Sequence, residues 1–323
     1  MAKIELPQSW ADVAQPLRAL IAELERIAAP GFGPYNVRPH VRDDVGAVVD
    51  LIAAVERSML GVAHIQRADI ASLWSTDIFT PELDGVAILE AGRLVAAAQL
   101  YGRKADVHVH PDATGRGLGR GLRAWTEARA RERGEPRVGQ TVPDPNRGAI
   151  RLLTESGYVP TYSAWVLRID HSDRPPEPRL PQGVRIRAFR PGDERQAYRV
   201  IEDAFAEWPG RSPTSFDDWR ALTIRREDFA PTNFLVAEQG SLIVGAALLI
   251  EDGEIWVDKL AVRRDVRDRG IARALLAAAF VRSFELGYAT TGTSTDSRTG
   301  ARTLYEKLGM TVREHYTHHA LGL

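Results

Sequence analysis

An arginine-rich turn over residues 262–273 has a composition that suits the binding of an anion. The turn follows an alternating apolar run over residues 254–262 that predicts a strand, and it leads into a helical pattern that continues to Glu285. Gly270 and Ala272 have side chains too small to cover the first N–H groups of that helix. Because those N–H groups and the helix dipole attract negative charge, the turn predicts a phosphate site.

Three arginines would add positive charge around this site, and they are Arg267, Arg269 and Arg273. No Gly-Lys-Ser/Thr follows the turn and the three-glycine dinucleotide fingerprint is absent, so it is neither a P-loop nor a Rossmann loop. The same form recurs at residues 109–119, since 262 − 109 and 270 − 117 both give 153. The chain therefore contains two copies of one predicted phosphate site.

The turn resembles the Arg/Gln-x-x-Gly-x-Gly/Ala pyrophosphate loop of the GNAT superfamily of acetyl-CoA-dependent acyltransferases, through Arg267, Gly270 and Ala272. In the first copy Thr114 stands in the Arg/Gln place. The resemblance implies that acetyl-CoA is the co-substrate and that both copies supply cofactor-binding residues. In the second copy these residues are Leu260, Ala261, Val262, Arg267, Asp268, Arg269, Gly270, Ile271, Ala272 and Arg273. In the first copy they are Val109, Thr114, Gly115, Arg116, Gly117, Leu118, Gly119 and Asn146.

A second motif, residues 301–310, is similar to the family's Ala-x-x-Leu-Tyr-x-Lys-x-Gly-Phe segment. The resemblance implies that Tyr305 lies near the sulfur of CoA and protonates the departing thiolate. The alternative is a half-buried tyrosine whose hydroxyl lies in water. The first copy has Leu153 in this place and keeps the family asparagine, Asn146, which Arg298 replaces in the second. Because leucine cannot transfer a proton, we expect the second copy to be catalytic, and the first either to bind acetyl-CoA without turnover or only to shape the cleft.

The attacking amine must be uncharged, so a base or a chain of water molecules has to take its proton. Glu254 and Asp258 are candidates, because residues four apart on a strand share one face. The alternative for each carboxylate is a solvated sheet face or a salt bridge with Lys259 or an arginine. A backbone N–H near residues 260–262 would stabilise the oxyanion.

The elements around the two turns repeat in the same order, which predicts two tandem domains of one α/β fold. Each domain would contain a mixed, mostly antiparallel sheet flanked by helices, as in GNAT folds. Hairpin signals at Ala91-Gly92 and Gln239-Gly240 recur with an offset of 148.

A proline-rich linker separates the repeats, since residues 171–183 contain four prolines in thirteen positions. This density excludes a helix or a central strand. We expect a non-catalytic GNAT-like domain over residues 35–170 and a catalytic one over residues 184–323. Helical spacing of apolar residues predicts an N-terminal helical extension within residues 1–34.

Composition narrows the function class further. A length of 323 residues suits about two domains, and a net charge of −1 argues against a nucleic-acid partner. Cysteine is absent, which excludes disulfides and thiolate ligands. Asp106, His108 and His110 alternate on one predicted strand, but no further ligand has a supporting spacing, so no metal is expected. No apolar run is long enough to span a membrane, so a cytoplasmic enzyme is expected, as a monomer or a homodimer.

These expectations combine into one function, the transfer of an acetyl group from acetyl-CoA to a primary amine of a small molecule. A tandem GNAT architecture of this size also resembles mycothiol synthase, which is an alternative, as is acetylation of an aminated antibiotic. An alternative of another class is a non-catalytic acyl-CoA-binding regulatory protein. The tryptophans Trp208, Trp219 and Trp256 either line the acceptor site or pack in the core.

Overall fold

The computed structural model describes residues 35–209 and 211–323, together with Pro16, Arg18 and Leu20. The helical extension expected within residues 1–34 lies outside the described residues, except for those three positions, which are helical.

The first half of the chain contains both strands and helices. Its strands are β1 (Tyr35–Pro39), β2 (Gly85–Glu90), β3 (Arg93–Tyr101), β4 (Lys104–Val109), β5 (Arg137–Pro143) and β6 (Val159–Asp170). Its helices are α1 (Val45–Leu60), α2 (Arg67–Trp74), α3 (Pro81–Asp84), α4 (Leu118–Glu132) and α5 (Arg147–Glu155).

The second half repeats this order, except that two α-helices instead of three follow its first strand. Its strands are β7 (Val184–Ala188), β8 (Phe234–Gln239), β9 (Leu242–Glu251), β10 (Ile255–Val262), β11 (Thr290–Asp296) and β12 (Thr311–Gly322). Its helices are α6 (Glu194–Phe205), α7 (Phe216–Ala221), α8 (Ile271–Glu285) and α9 (Arg302–Lys307).

The chain divides into two compact units. Unit 1 contains the residues up to Thr161 together with Tyr316–Leu323, and unit 2 contains Tyr162–His315. The strand order in unit 1 is β1-β2-β3-β4-β5 followed by residues 316–322 of β12, with only the β4–β5 pair parallel. The order in unit 2 is β6-β11-β10-β9-β8-β7, with only the β10–β11 pair parallel. The expected α/β class with mixed, mostly antiparallel sheets is confirmed.

The units divide the chain differently from the sequence repeats. The strand that ends the first repeat, β6, pairs with β11 of unit 2, and residues 316–322 of β12 pair with β5 of unit 1. The limits expected at 35–170 and 184–323 therefore assign these two strand segments differently from the compact units. Sequence repeats give the order of elements, but they do not identify the sheet edge that a terminal strand joins.

Helices cover both faces of each sheet. In unit 1, Val86 and Ile88 pack in one core with Leu122 of α4, while Ala87 packs in a second core with α1 and α2. Adjacent residues of β8 likewise belong to two different cores. This alternation follows from the period of two along a strand. Within the described ranges, no helix is both long enough and apolar enough to cross a membrane.

Candidate active site

A cleft opens in unit 2 where two parallel strands separate. Residues Ile255–Val257 of β10 pair with Thr291–Thr293 of β11, and the pairing ends there. On the other side of β10, Val257 lies opposite Leu249 and Lys259 opposite Leu248, so Asp258 is the extra residue of a β-bulge. A bulge bends its strand and redirects a side chain. The separated strands thus present backbone and the Asp258 carboxylate to one space.

That space is a cavity of about 690 Å³. It brings together most of the residues predicted for the second site. The predicted residues that line it are Asp258, Leu260, Ala261, Val262, Arg267, Asp268, Gly270, Ile271, Ala272, Arg273 and Tyr305. Arg269 and Glu254 are not among its lining residues.

The turn before α8 has the backbone conformation that exposes the start of this 15-residue helix. Gly270 is its N-cap with φ +88°, and Asp268 has φ +61°. A Cβ atom at Gly270 would meet nothing within 4 Å, so the left-handed backbone, and not only the space expected from the sequence, favours glycine here. Gly115 and Gly117 hold the matching positions of unit 1 at φ +76° and +82°. The two copies therefore share one loop conformation.

Arg267 is held by a residue that the sequence did not indicate. Its guanidinium donates to both carboxylate oxygens of Glu207, at 2.7 and 3.0 Å, and its Nε donates to the carbonyl of Val262 at 3.1 Å. This pair lowers the pKa of Glu207. A diphosphate at the loop would compete with Glu207 for the same guanidinium. No motif marks Glu207, because only the fold brings the end of α6 beside the loop.

Tyr305 lies on α9 and lines the cavity, although only 6% of its surface is exposed. Burial raises the pKa of Tyr305, and a hydrogen bond with the Thr293 side chain opposes part of that rise. The Thr293 hydroxyl also donates to the carbonyl of Val257 at 2.9 Å, where β10 and β11 separate. The hydroxyl of Tyr305 is therefore held at the point where the cleft opens and keeps its proton at neutral pH.

The two candidate bases have different environments. Glu254 is buried, and Arg168 of β6 donates to both of its carboxylate oxygens from Nε, at 2.9 and 3.0 Å, while also donating to Glu314 at 2.7 Å. Asp258 lines the cavity and accepts from the ammonium of Lys259 at 2.5 Å. Both carboxylates thus have a cationic partner, and of the two only Asp258 lines the cavity.

The cavity also has an aromatic wall. Phe205 and Trp208 stack with ring centroids 4.6 Å apart, and both line the cavity. Trp219, by contrast, is buried in the core beside α6.

The equivalent position in unit 1 differs in three ways. First, β4 pairs with β3 without a bulge, and Leu153, in the place of Tyr305, is a buried core residue. Second, the cavity there measures about 150 Å³ and is lined by Asn146 but by neither Val109 nor any residue of the loop 114–119. Third, the Asn146 side chain accepts from the N–H of Ala149 and so caps α5. The predicted unit 1 set is therefore not gathered around one cavity.

The remaining predicted polar groups serve local structure. Arg116 donates to both oxygens of Glu90, at 3.2 and 3.0 Å, and to the carbonyl of Asp112 at 2.6 Å. His110 lies 2.6 Å from Arg93 and accepts from the N–H of Asp112. Among the residues that the structure describes, no group of three or more His, Asp or Glu side chains could hold a metal ion.

Comparisons with known proteins agree with this geometry. The model of the acetyltransferase (GNAT) family matches residues 54–158 and 195–310, which together exceed half of the chain. A mycothiol acetyltransferase of Thermobispora bispora is 31% identical over 230 residues, covering 64% of this chain and 72% of the relative. A mycothiol acetyltransferase of Saccharopolyspora erythraea is 30% identical over 275 residues, covering 80% and 85%.

Solved structures extend the likeness to both halves. A GCN5-related N-acetyltransferase from Sphaerobacter thermophilus is 31% identical with a TM-score of 0.71, covering 89% of this chain and 95% of that one. A tandem GNAT protein from the clavulanic acid biosynthesis pathway has a TM-score of 0.68 at 17% identity, covering 89% and 98%, and supports the fold alone. The expectation of two tandem GNAT folds is confirmed.

Proposed function

The chain belongs to the acetyltransferase (GNAT) family, and on that premise we propose that unit 2 moves an acetyl group from acetyl-CoA to the primary amine of a small molecule. The observation that carries this proposal is that Tyr305 and the Gly270 turn line the same cavity of about 690 Å³. A diphosphate site and a proton donor on one cavity are what transfer from a CoA thioester requires.

The chain offers a suitable place for acetyl-CoA, which supplies the activated acetyl thioester. The left-handed backbone at Asp268 and Gly270 leaves the first N–H groups of α8 open, and their dipoles favour a diphosphate. Arg267 and Arg273 line the same cavity and add positive charge. Beyond Val257, the edge of β10 that faces β11 is unpaired in the described residues, so it can hold an extended ligand by backbone hydrogen bonds.

Two side chains then divide the proton transfers. Asp258 accepts the proton that the attacking amine loses, directly or through a water molecule. Tyr305 donates its hydroxyl proton to the departing sulfur, and solvent returns a proton to Tyr305. A thiol with a pKa of about 8.5 leaves more readily when an acid protonates it, and tyrosine, with a pKa of about 10, still holds its proton at neutral pH. Backbone N–H groups within residues 260–262 are the candidates for stabilising the oxyanion.

The same reasoning assigns catalysis to unit 2. Unit 1 has Leu153 where unit 2 has Tyr305, and its β4 has no bulge. It therefore offers neither the acid nor the redirected carboxylate.

The relatives suggest a more specific acceptor. Two of them are mycothiol acetyltransferases that this chain covers over 72% and 85% of their length. Acetylation of the deacetylated form of mycothiol is therefore the second candidate reaction. The aromatic wall of Phe205 and Trp208 gives either acceptor an apolar surface to pack against.

Measurement of CoA release tests the proposal with little background, because the chain has no cysteine and a thiol-reactive dye would report only free CoA. The assay uses the full chain, acetyl-CoA and a panel of small amines. Deacetylated mycothiol is tested alongside these amines, and its acetylated product is detected by mass spectrometry. We expect acetylated product from at least one amine. Acetyl-CoA binding without turnover on any amine would instead favour a regulatory acyl-CoA-binding protein.

A further inference from the structure

The walls of the unit 2 cavity carry balanced charge. Among the described residues that line it, three are arginines and three are carboxylates. They are Arg267, Arg273, Arg298, Glu207, Asp258 and Asp268. A diphosphate bound at the Gly270 turn would add negative charge and leave the loaded cavity with a negative excess. That excess favours a cationic second ligand.

Glu207 is the carboxylate whose partner a diphosphate would engage. Its two oxygens accept from the two terminal nitrogens of Arg267, at 2.7 and 3.0 Å. Both side chains line the cavity, and 40% of the Glu207 side chain and 34% of the Arg267 side chain are exposed. The hydrogen bonds with Arg267 lower the pKa of Glu207, so its carboxylate is charged at neutral pH. A ligand in the cavity can therefore reach both members of the ion pair.

The other two carboxylates of the cavity are placed differently. Asp258 has its own partner, the ammonium of Lys259 at 2.5 Å. Asp268 lies in the turn itself. Within the described part of the chain, the hydrogen bonds of the Arg267 guanidinium go to Glu207 and to the carbonyl of Val262. Glu207 is therefore the carboxylate that loses its countercharge when Arg267 engages a diphosphate.

Glu207 also belongs to the segment that forms the aromatic wall. It lies between Phe205 and Trp208 in the sequence, and all three residues line the cavity. The two rings stack with centroids 4.6 Å apart and present an apolar surface. Aromatic faces also attract cations. A negative charge on an aromatic segment suits an ammonium ion that is attached to a nonpolar group.

We propose that Glu207 selects the acceptor, by attracting it as an ammonium ion once the diphosphate of acetyl-CoA has engaged Arg267. This inference rests on the proposed function and adds a charge requirement for the acceptor. In the empty cavity Arg267 neutralises Glu207, so the amine binds weakly. With acetyl-CoA bound, Glu207 attracts the ammonium ion, and Asp258 accepts the proton that leaves before the nitrogen attacks. The two ligands therefore bind with positive coupling, which is reciprocal.

Calorimetric titration of the full chain with CoA tests this coupling without turnover, because CoA carries no acetyl group. The titrations are made at low salt with and without benzylamine, which is cationic at neutral pH and has an aromatic ring. Benzyl alcohol has nearly the same shape and no charge. Because the Glu207–Arg267 pair is exposed, we expect saturating benzylamine to tighten CoA binding about 1.5- to 5-fold. Benzyl alcohol should leave CoA binding unchanged.

The results distinguish this inference from the proposed function. Equal effects of the two probes, or no effect of benzylamine on a chain that binds CoA, would refute the role of Glu207 and leave the proposed function intact. A chain that binds no CoA would overturn both.

Two variants then locate the charge that couples the ligands. Glu207→Gln removes the charge of the carboxylate, so benzylamine should no longer tighten CoA binding. Glu285→Gln is the matched control, since the Glu285 side chain is 44% exposed, pairs with Arg174 at 3.1 Å and does not line the cavity. This control should keep the native coupling, and a thermal melt verifies that both variants fold. Coupling that persists in Glu207→Gln, or that is lost in Glu285→Gln, would refute the assignment to Glu207.

Discussion

Tyr305→Phe removes a single hydroxyl oxygen from the unit 2 cavity in which we propose that acetyl transfer takes place, and it keeps the ring. Because the ring belongs to the buried core of unit 2, its packing should persist in the variant. The lost hydrogen bond with Thr293 should lower the free energy of unfolding by only about 0.5–1.5 kcal/mol. The variant should therefore fold, and a change in its activity would report on the hydroxyl.

The effect on catalysis should be much larger than the effect on stability. A positioned general acid contributes about 10²- to 10⁴-fold to a rate. A thiolate with a pKa of about 8.5 is already a fair leaving group, so we expect an effect below this range, a fall in kcat of at least about tenfold. A tenfold fall in kcat corresponds to a rise of about 1.4 kcal/mol in the activation free energy. The acetyl-CoA dissociation constant should stay within about twofold, because the Gly270 turn and not Tyr305 would hold the diphosphate.

Dependence of kcat on pH adds a second readout. Burial raises the pKa of Tyr305 above the ordinary value of about 10, so the protonated acid persists to higher pH and kcat should fall only above about pH 10. Thr293→Val removes a contact that opposes this rise, so it should move the alkaline limb further upward. Turnover of Tyr305→Phe equal to that of the native chain, with the alkaline limb intact, would exclude Tyr305 as the acid.

Three further predictions follow from the same site. Gly270→Ala forces a side chain into φ +88°, so it should lower the free energy of unfolding by about 1–2 kcal/mol and weaken acetyl-CoA binding about tenfold. Gly117→Ala, at the matching position of unit 1 with φ +82°, should show only the loss of stability. Calorimetry and chemical denaturation distinguish these results, and equal loss of binding in both variants would contradict a role specific to unit 2. Asp258→Asn should lower kcat/KM for the amine at least about tenfold. Glu254→Gln should lower the free energy of unfolding by about 1–3 kcal/mol and leave kcat within about twofold. A large loss of kcat/KM in Glu254→Gln but not in Asp258→Asn would make Glu254 the base. Glu207→Gln removes the charge that pairs with Arg267, so it should tighten acetyl-CoA binding about 1.5- to 5-fold at low salt. A salt concentration of about 0.5 M would reduce this effect. Weaker binding by the variant would instead show that the ion pair organises the loop.

Local sequence patterns were sufficient to predict that the chain contains two equivalent glycine turns. The offset of 153 between the two glycine turns matches a shared backbone conformation, with left-handed residues at Gly117 and Gly270. The dipeptide Ala91-Gly92 likewise forms the predicted hairpin, with positive φ at both positions. These features depend on a few adjacent residues, so the sequence contains nearly all the information that determines them.

Features that depend on distant segments could not be predicted. Glu254 looked equivalent to Asp258 from its spacing, but Arg168 reaches it because β6 pairs with β11, a pairing that no local pattern specifies. The bulge at Asp258 depends on its register with β9. Glu207 has no motif at all, since it meets the loop only through the packing of α6 beside β10.

A crystal structure of the full chain with acetyl-CoA tests the proposed transfer site most directly. We predict diphosphate oxygens within about 3 Å of the backbone nitrogens of residues 270–272, and the thioester sulfur within hydrogen-bond reach of the Tyr305 hydroxyl. A diphosphate bound away from the Gly270 turn, or a Tyr305 hydroxyl directed away from the sulfur, would contradict the assignment of acetyl transfer to this cavity.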